Sequence, residues 1–104
     1  MRGDIYRLRL DRGAGGHEQR GVRYGVLVQS DHFDLLSTCL VAPTSTSARP
    51  ATFRPAIDIR GQETLVLVEQ TRAVDRSGLG EQVGRLRLVE QQAVEAALRL
   101  VLGL

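Results

Sequence analysis

Residues 5–10 alternate, with Ile5, Arg7 and Arg9 on one side of an extended chain and Tyr6, Leu8 and Leu10 on the other. That period of two predicts a half-buried strand. Two short apolar runs, Val26-Leu27-Val28 and Cys39-Leu40-Val41-Ala42, have the length and character of central strands. Between them the polar cluster Ser30-Asp31-His32-Phe33-Asp34 has room for one helical turn. Residues 51–59 and 64–68 supply two further strands around a turn at Gly61. Pro55 has no N–H to offer a ladder, which places the first of them at a sheet edge.

From residue 88 to residue 102 the period becomes helical. Val89, Ala93, Ala96/Ala97 and Leu100 form one apolar stripe, with Val94, Leu98 and Val101 beside it. Glu95 stands four residues before Arg99, an orientation worth about 0.3–0.5 kcal/mol, and Gly103 sits where such a helix stops. Several strands followed by one amphipathic helix predict an α+β fold, a small β-barrel with a C-terminal helix.

Two stretches interrupt the pattern. Residues 11–21 contain four glycines and almost no apolar side chain, and residues 43–50 are rich in Thr and Ser and close on a proline. Both read as exposed loops, and long loops on small domains are commonly functional.

The 104 residues are 42% hydrophobic and 25% charged, the balance of one folded domain over residues 1–104. No apolar run approaches the roughly 18–20 residues that span a bilayer, and the N-terminus lacks a secretory apolar core. A cytoplasmic protein is expected, with no membrane partner. The single cysteine, Cys39, has no second thiol for a disulfide or zinc site, and its apolar flanks suggest a buried, inert group. All fourteen basic residues are arginines and the net charge is +2. Residues 1–60 carry nine Arg against six acids, and residues 61–104 five against six. The surface therefore leans toward bidentate phosphate chemistry, with the positive excess N-terminal.

The candidate site residues lie in the loops and at strand ends. His17, Glu18, Gln19 and Arg20 occupy the glycine-rich loop, where an imidazole titrates near neutrality. Arg23 stands between that loop and an apolar strand, well placed to clamp a phosphate. Thr44, Ser45 and Thr46 follow a strand and could bond phosphate oxygens or satisfy turn backbone. Glu69 and Gln70 end an apolar strand with Arg72 close behind, and a carboxylate plus an amide can read base edges. No Gly-x-Ser-x-Gly elbow, P-loop or metal-ligand spacing is present, so metal-free chemistry or binding alone is expected, with no cofactor.

Read in order, Arg2-Gly3-Asp4-Ile5-Tyr6, Gly16-His17-Glu18-Gln19-Arg20-Gly21-Val22-Arg23, Val41-Ala42-Pro43, Glu69-Gln70-Thr71-Arg72-Ala73-Val74-Asp75 and Val94-Glu95-Ala96-Ala97-Leu98 carry a resemblance. The chain resembles the MazF/PemK (Kid-like) family of toxin endoribonucleases from type II toxin–antitoxin modules, nearly end to end. That resemblance implies a small SH3-like barrel with a C-terminal helix, acting as a homodimer. It further implies metal-independent, sequence-specific cleavage of single-stranded RNA (mRNA) to 2′,3′-cyclic phosphate and 5′-hydroxyl ends. Arg23 would stabilise the scissile phosphate, Ser45 would assist, and His17 would act as acid or base. Glu18, Gln19, Arg20, Thr44, Thr46, Glu69, Gln70 and Arg72 would bind RNA. A cognate antitoxin with a disordered acidic tail is the implied protein partner. The alternatives are a non-enzymatic gyrase inhibitor on the same scaffold, like CcdB, which lacks the Gly-x-Glu-Gln-x-Gly-x-Arg loop, and a catalytically inactive RNA-binding remnant.

Overall fold

A computed structural model describes residues 1–9 and 23–104. Among the described residues seven strands precede one helix: β1 (Asp4–Leu8), β2 (Tyr24–Leu27), β3 (Thr38–Ser45), β4 (Ala56–Ile59), β5 (Gln62–Val66), β6 (Arg72–Asp75), β7 (Leu79–Arg85) and α1 (Leu88–Leu102). The strands form one antiparallel sheet in the order β4-β5-β3-β2-β1-β7, with β6 also pairing β3. The α+β architecture expected from the pattern is the one observed.

Strand β3 organises the sheet by changing neighbours along its length. Residues 38–41 pair with β6 and residues 44–45 with β5. The switch falls at Pro43, which has no N–H to continue a ladder. Its carbonyl accepts from the Leu67 N–H at 2.8 Å instead.

The curled sheet buries side chains on both faces. Between sheet and helix lie Ile5, Val26, Ala42, Ile57, Ile59, Val66, Val68, Leu86, Val94 and Ala97. On the other face Leu27, Cys39 and Val41 pack with Tyr6, Leu8, Val74 and Leu79. Burial on both sides explains why β2 and β3 read as continuous apolar runs while β1 alternates. Cys39 is buried as expected, and burial pushes its thiol pKa up.

Most predicted elements appear with trimmed ends. The strand at 5–10 begins at Asp4 and runs to Leu8, and Leu10 lies outside the described residues, as does the predicted loop at 11–21. The polar cluster holds a 3-10 turn, Asp31–Phe33, capped by the Ser30 hydroxyl. β4 is an edge strand, although it starts only after Pro55, and the hairpin to β5 turns through Arg60 and Gly61 at φ 52° and 85°. The chain pattern does not announce β6 and β7. β7 has little alternation and is made a strand by pairing with β1, in a register broken by two shifts. Gly80 permits that approach, since a Cβ there would lie 2.8 Å from the Arg7 carbonyl oxygen.

The helix has its predicted length and ends at Gly103 in the left-handed conformation, but it is rotated from the predicted stripe. Val94 and Ala97 are buried with Leu98 half-buried, whereas Val89 and Leu100 are exposed. The reason is a polar anchor. Glu90 is 4% exposed, and its carboxylate accepts from the backbone N–H of Arg87 and of Asp58, both at 2.8 Å. That pins the first turn of α1 to the free edge of β4 and turns the row 90-94-97 inward. Glu95 pairs with Arg2 at 2.9 Å rather than with Arg99.

Candidate active site

The register of β2 against β3 assembles the site. Gly25 lies opposite Pro43, Val26 opposite Ala42 and Leu27 opposite Val41. Two residues further on, the same register sets Arg23 across from Ser45. The Arg23 carbonyl accepts from the Leu8 N–H at 2.8 Å, so β1 holds the backbone from its other side. Alternation along β2 then puts Arg23 on the face of Leu27 and Val41, away from the helix. Arg72 lies opposite Val41 and shares that face. Two residues 22 positions apart in sequence are thus set level by the register, on the face that Arg72 shares.

Arg23 is half-buried and Arg72 exposed. Neither forms an ion pair with a carboxylate among the described residues. Ser45 contributes a hydroxyl in a defined state. Its Oγ accepts from the backbone N–H of Ser47 at 3.1 Å and of Ala48 at 3.0 Å. The Ser47 Oγ lies 3.5 Å away as a further hydroxyl partner; with two N–H groups on its oxygen the Ser45 hydroxyl is a poor base, and its proton can turn from Ser47 to a phosphate oxygen.

The remaining candidates separate. Thr44 lies on the opposite face, buried, with its hydroxyl donating to the Tyr24 carbonyl at 2.9 Å. The structure does not bring it to the face of Arg23. Thr46 is exposed at the start of the loop. Glu69 and Gln70 do not end a strand: β5 stops at Val66, and both residues sit in a 3-10 turn, Val68–Gln70. Gln70 is exposed there. Glu69 Oε2 accepts from Arg54 Nε at 3.0 Å and from Arg54 Nη2. The Arg54 guanidinium holds the Glu69 carboxyl below its ordinary range, against the opposing effect of burial. Arg54 is the residue that sequence reasoning missed, for its partner is 15 positions away and no period links them. His17, Glu18, Gln19 and Arg20 lie outside the described residues.

No group of three or more His, Cys, Asp or Glu side chains that could hold a metal occurs among the described residues. No helix among them is long and apolar enough to cross a membrane.

A small curled antiparallel sheet with one C-terminal helix, presenting arginines and a donating hydroxyl on its outer face, defines an α+β scaffold suited to a phosphate-bearing ligand. Comparison with known proteins narrows this class. Residues 1–102 match the family described as PemK-like, MazF-like toxin of type II toxin-antitoxin system. A Mycobacterium tuberculosis protein provisionally named as a toxin, Rv3098A, is 39% identical over 105 residues, covering 100% of this chain and 98% of its own. A protein of Mycolicibacterium smegmatis provisionally named endoribonuclease MazF is 31% identical over 112 residues, covering 99% of this chain and 96% of its own. Among solved structures, a mycobacterial endoribonuclease in complex with its cognate antitoxin superposes with a TM-score of 0.82 at 19% identity, covering 100% of this chain and 95% of that one. The chain belongs to the PemK-like, MazF-like toxins of type II toxin–antitoxin systems.

Proposed function

We propose that this toxin is a metal-independent endoribonuclease that cuts single-stranded RNA, mRNA in the cell, at a short sequence. The observation that carries the reading is the β2–β3 register, which, continued two residues past Gly25 and Pro43, brings Arg23 level with Ser45 on the face that also bears Arg72. The family and the endoribonuclease names of its relatives give it direction.

RNA brings its own nucleophile. The 2′-oxygen attacks the adjacent phosphorus, the bond to the 5′-oxygen breaks, and the products are a 2′,3′-cyclic phosphate and a 5′-hydroxyl. The protein must orient the strand, stabilise charge on the phosphorane and move one proton. Arg23 offers charge-assisted donors to the non-bridging oxygens, and Ser45 adds a neutral donor beside it. Glu69 is committed to Arg54 and the Ser45 oxygen to two backbone N–H groups. In this reading, as the family resemblance implies, the proton transfer falls to His17, which takes the 2′-hydroxyl proton or supplies one to the leaving oxygen. Arg72 and Gln70, both exposed, with Glu18, Gln19 and Arg20, contribute to holding RNA.

The toxin acts in the cytoplasm as a homodimer of single-domain chains. Leu100, Leu102 and Leu104 are 60%, 63% and 81% exposed in the isolated chain, which favours a contact that covers them. Its restraint is a cognate antitoxin with an acidic, disordered tail that lies over the arginine face.

The test is incubation of the purified protein with a long single-stranded RNA in EDTA, with mass analysis of the ends. Cyclic-phosphate products, abolished by Arg23→Ala and reduced by His17→Ala, are expected. RNA left intact at micromolar protein refutes the assignment.

A further inference from the structure

The segment that leaves Ser45 and rejoins the sheet at Ala56 has no regular structure, yet it is fastened at both ends. At its start the Ser45 hydroxyl holds the N–H groups of Ser47 and Ala48. At its end Arg54 engages all three guanidinium nitrogens. Nε and Nη2 donate to Glu69, Nη1 donates to the Arg49 carbonyl at 3.1 Å, and the group lies 5.5 Å from the centre of the Phe53 ring.

Glu69 is a firm anchor. Its turn is rooted by Val68, buried in the helix-side core, and by the Leu67 N–H on the Pro43 carbonyl. The two paired side chains are only 21% and 25% exposed, well below the exposure at which ion pairs contribute little. Glu69 Oε1 is buried without a hydrogen-bond partner among the described residues. Arg54 is the largest of the groups that hold this carboxylate, beside the Glu69 backbone N–H and the Gln70 side chain, and its removal takes the only opposite charge from a half-buried carboxylate among the described residues, so the turn and the loop shift together.

We infer that the Arg54–Glu69 pair is a positioning device for RNA recognition. It holds residues 46–53 as a preformed wall beside the face that carries Arg23, Ser45 and Arg72. The inference rests on the proposed endoribonuclease activity and adds a role for a residue that touches neither the scissile phosphate nor a base. A wall ordered in advance removes the ordering cost from the binding step and limits the strand conformations that fit. Loss of the tie therefore weakens substrate binding and relaxes sequence choice, while the phosphate chemistry at Arg23 persists.

Three measurements on the full chain test this with Arg54→Ala, Arg54→Lys and Glu69→Gln. The first is hydrogen exchange at the Ser47 and Ala48 amides, expected to quicken by about tenfold or more in Arg54→Ala. The second is steady-state cleavage with sequencing of the cut ends. KM is expected to rise by about tenfold with kcat within about twofold, the cut-site consensus is expected to broaden, and Glu69→Gln is expected to act in the same direction. Arg54→Lys falls between, since an ammonium keeps the charge but not the forked contact. The third is binding of a fully 2′-O-methylated single-stranded oligonucleotide, which cannot be cut, expected to weaken by about tenfold in Arg54→Ala. Unchanged exchange overturns the tie, and unchanged KM, consensus and binding beside a lowered melting temperature reduce it to a purely structural pair. If the unaltered protein cuts no RNA, the endoribonuclease proposal fails by itself. Exchange and oligonucleotide binding then still decide this one, and equal binding by the unaltered and Arg54→Ala proteins overturns it.

Discussion

Thr44 and Ser45 are adjacent hydroxyl residues that the strand turns to opposite faces, so the structure predicts opposite consequences of losing them. Thr44 is 5% exposed, and its Oγ1 donates to the Tyr24 carbonyl at 2.9 Å. Thr44→Val keeps the shape and removes the donor. The loss comprises one neutral hydrogen bond, worth about 1 kcal/mol net, and a buried carbonyl left short of a partner, so that about 1–2 kcal/mol is expected overall. For a chain of this size that corresponds to a fall in melting temperature of roughly 5–10 °C. The assay is thermal unfolding by circular dichroism at one protein concentration, because the proposed dimer would couple stability to concentration. It is paired with cleavage of a fluorogenic RNA well below either transition. Cleavage by Thr44→Val is expected within about twofold of the unaltered protein, whereas Ser45→Ala, which removes the donor proposed for the phosphate, is expected to lose about tenfold or more. An unchanged melting temperature with strongly reduced cleavage by Thr44→Val would show that its hydroxyl serves RNA and not the β2 carbonyl, and the assignment of faces would fall.

Arg23→Ala is expected to reduce kcat by about a hundredfold or more, the scale of losing a charged donor to a developing oxyanion, with melting temperature unchanged; single-turnover cleavage checks this. Glu90→Gln is expected to cost about 1–3 kcal/mol at neutral pH in urea unfolding, since three donors converge on that buried carboxylate. Burial pushes the Glu90 carboxyl up, but the Arg87 guanidinium and the N–H groups of Arg87 and Asp58 outweigh it and hold the folded-state pKa below the ordinary 4.5. The stabilisation is therefore full above that ordinary value and lost as pH falls through the lower native one, so the gap to Glu90→Gln closes in acid, and a gap independent of pH contradicts the reasoning. Leu102→Glu is expected to shift the assembly toward monomer in sedimentation velocity, and an undisturbed dimer places the contact elsewhere.

Much of the fold was legible because burial on one or two faces imprints a period. The alternation at Ile5, Tyr6 and Leu8, the apolar runs at β2 and β3, the edge position of β4 marked by Pro55 and the full length of α1 all followed from it. β6 and β7 were not legible, because their strand character comes from pairing with β3 and β1 rather than from side chains of their own. The helix was found but its buried side was misread. Apolar residues surround its axis almost evenly, and the deciding contact is a glutamate reaching the edge of β4.

The site divides along the same line. Arg23, Ser45 and Arg72 could be nominated from residue type and position, because an arginine at a strand threshold and a hydroxyl after a strand suit phosphate wherever they occur. Which of them share a surface was settled by the β2–β3–β6 register, in which a shift of one residue would move every side chain to the other face. Local chemistry, in short, is written residue by residue, and the chain alone determined the strand and helix periods, the arginine-based charge and the list of phosphate-capable groups. The tertiary structure alone decided that Thr44 faces inward while Ser45 faces out, and that Glu69 answers to Arg54, since such pairings join positions far apart along the chain that no local pattern relates.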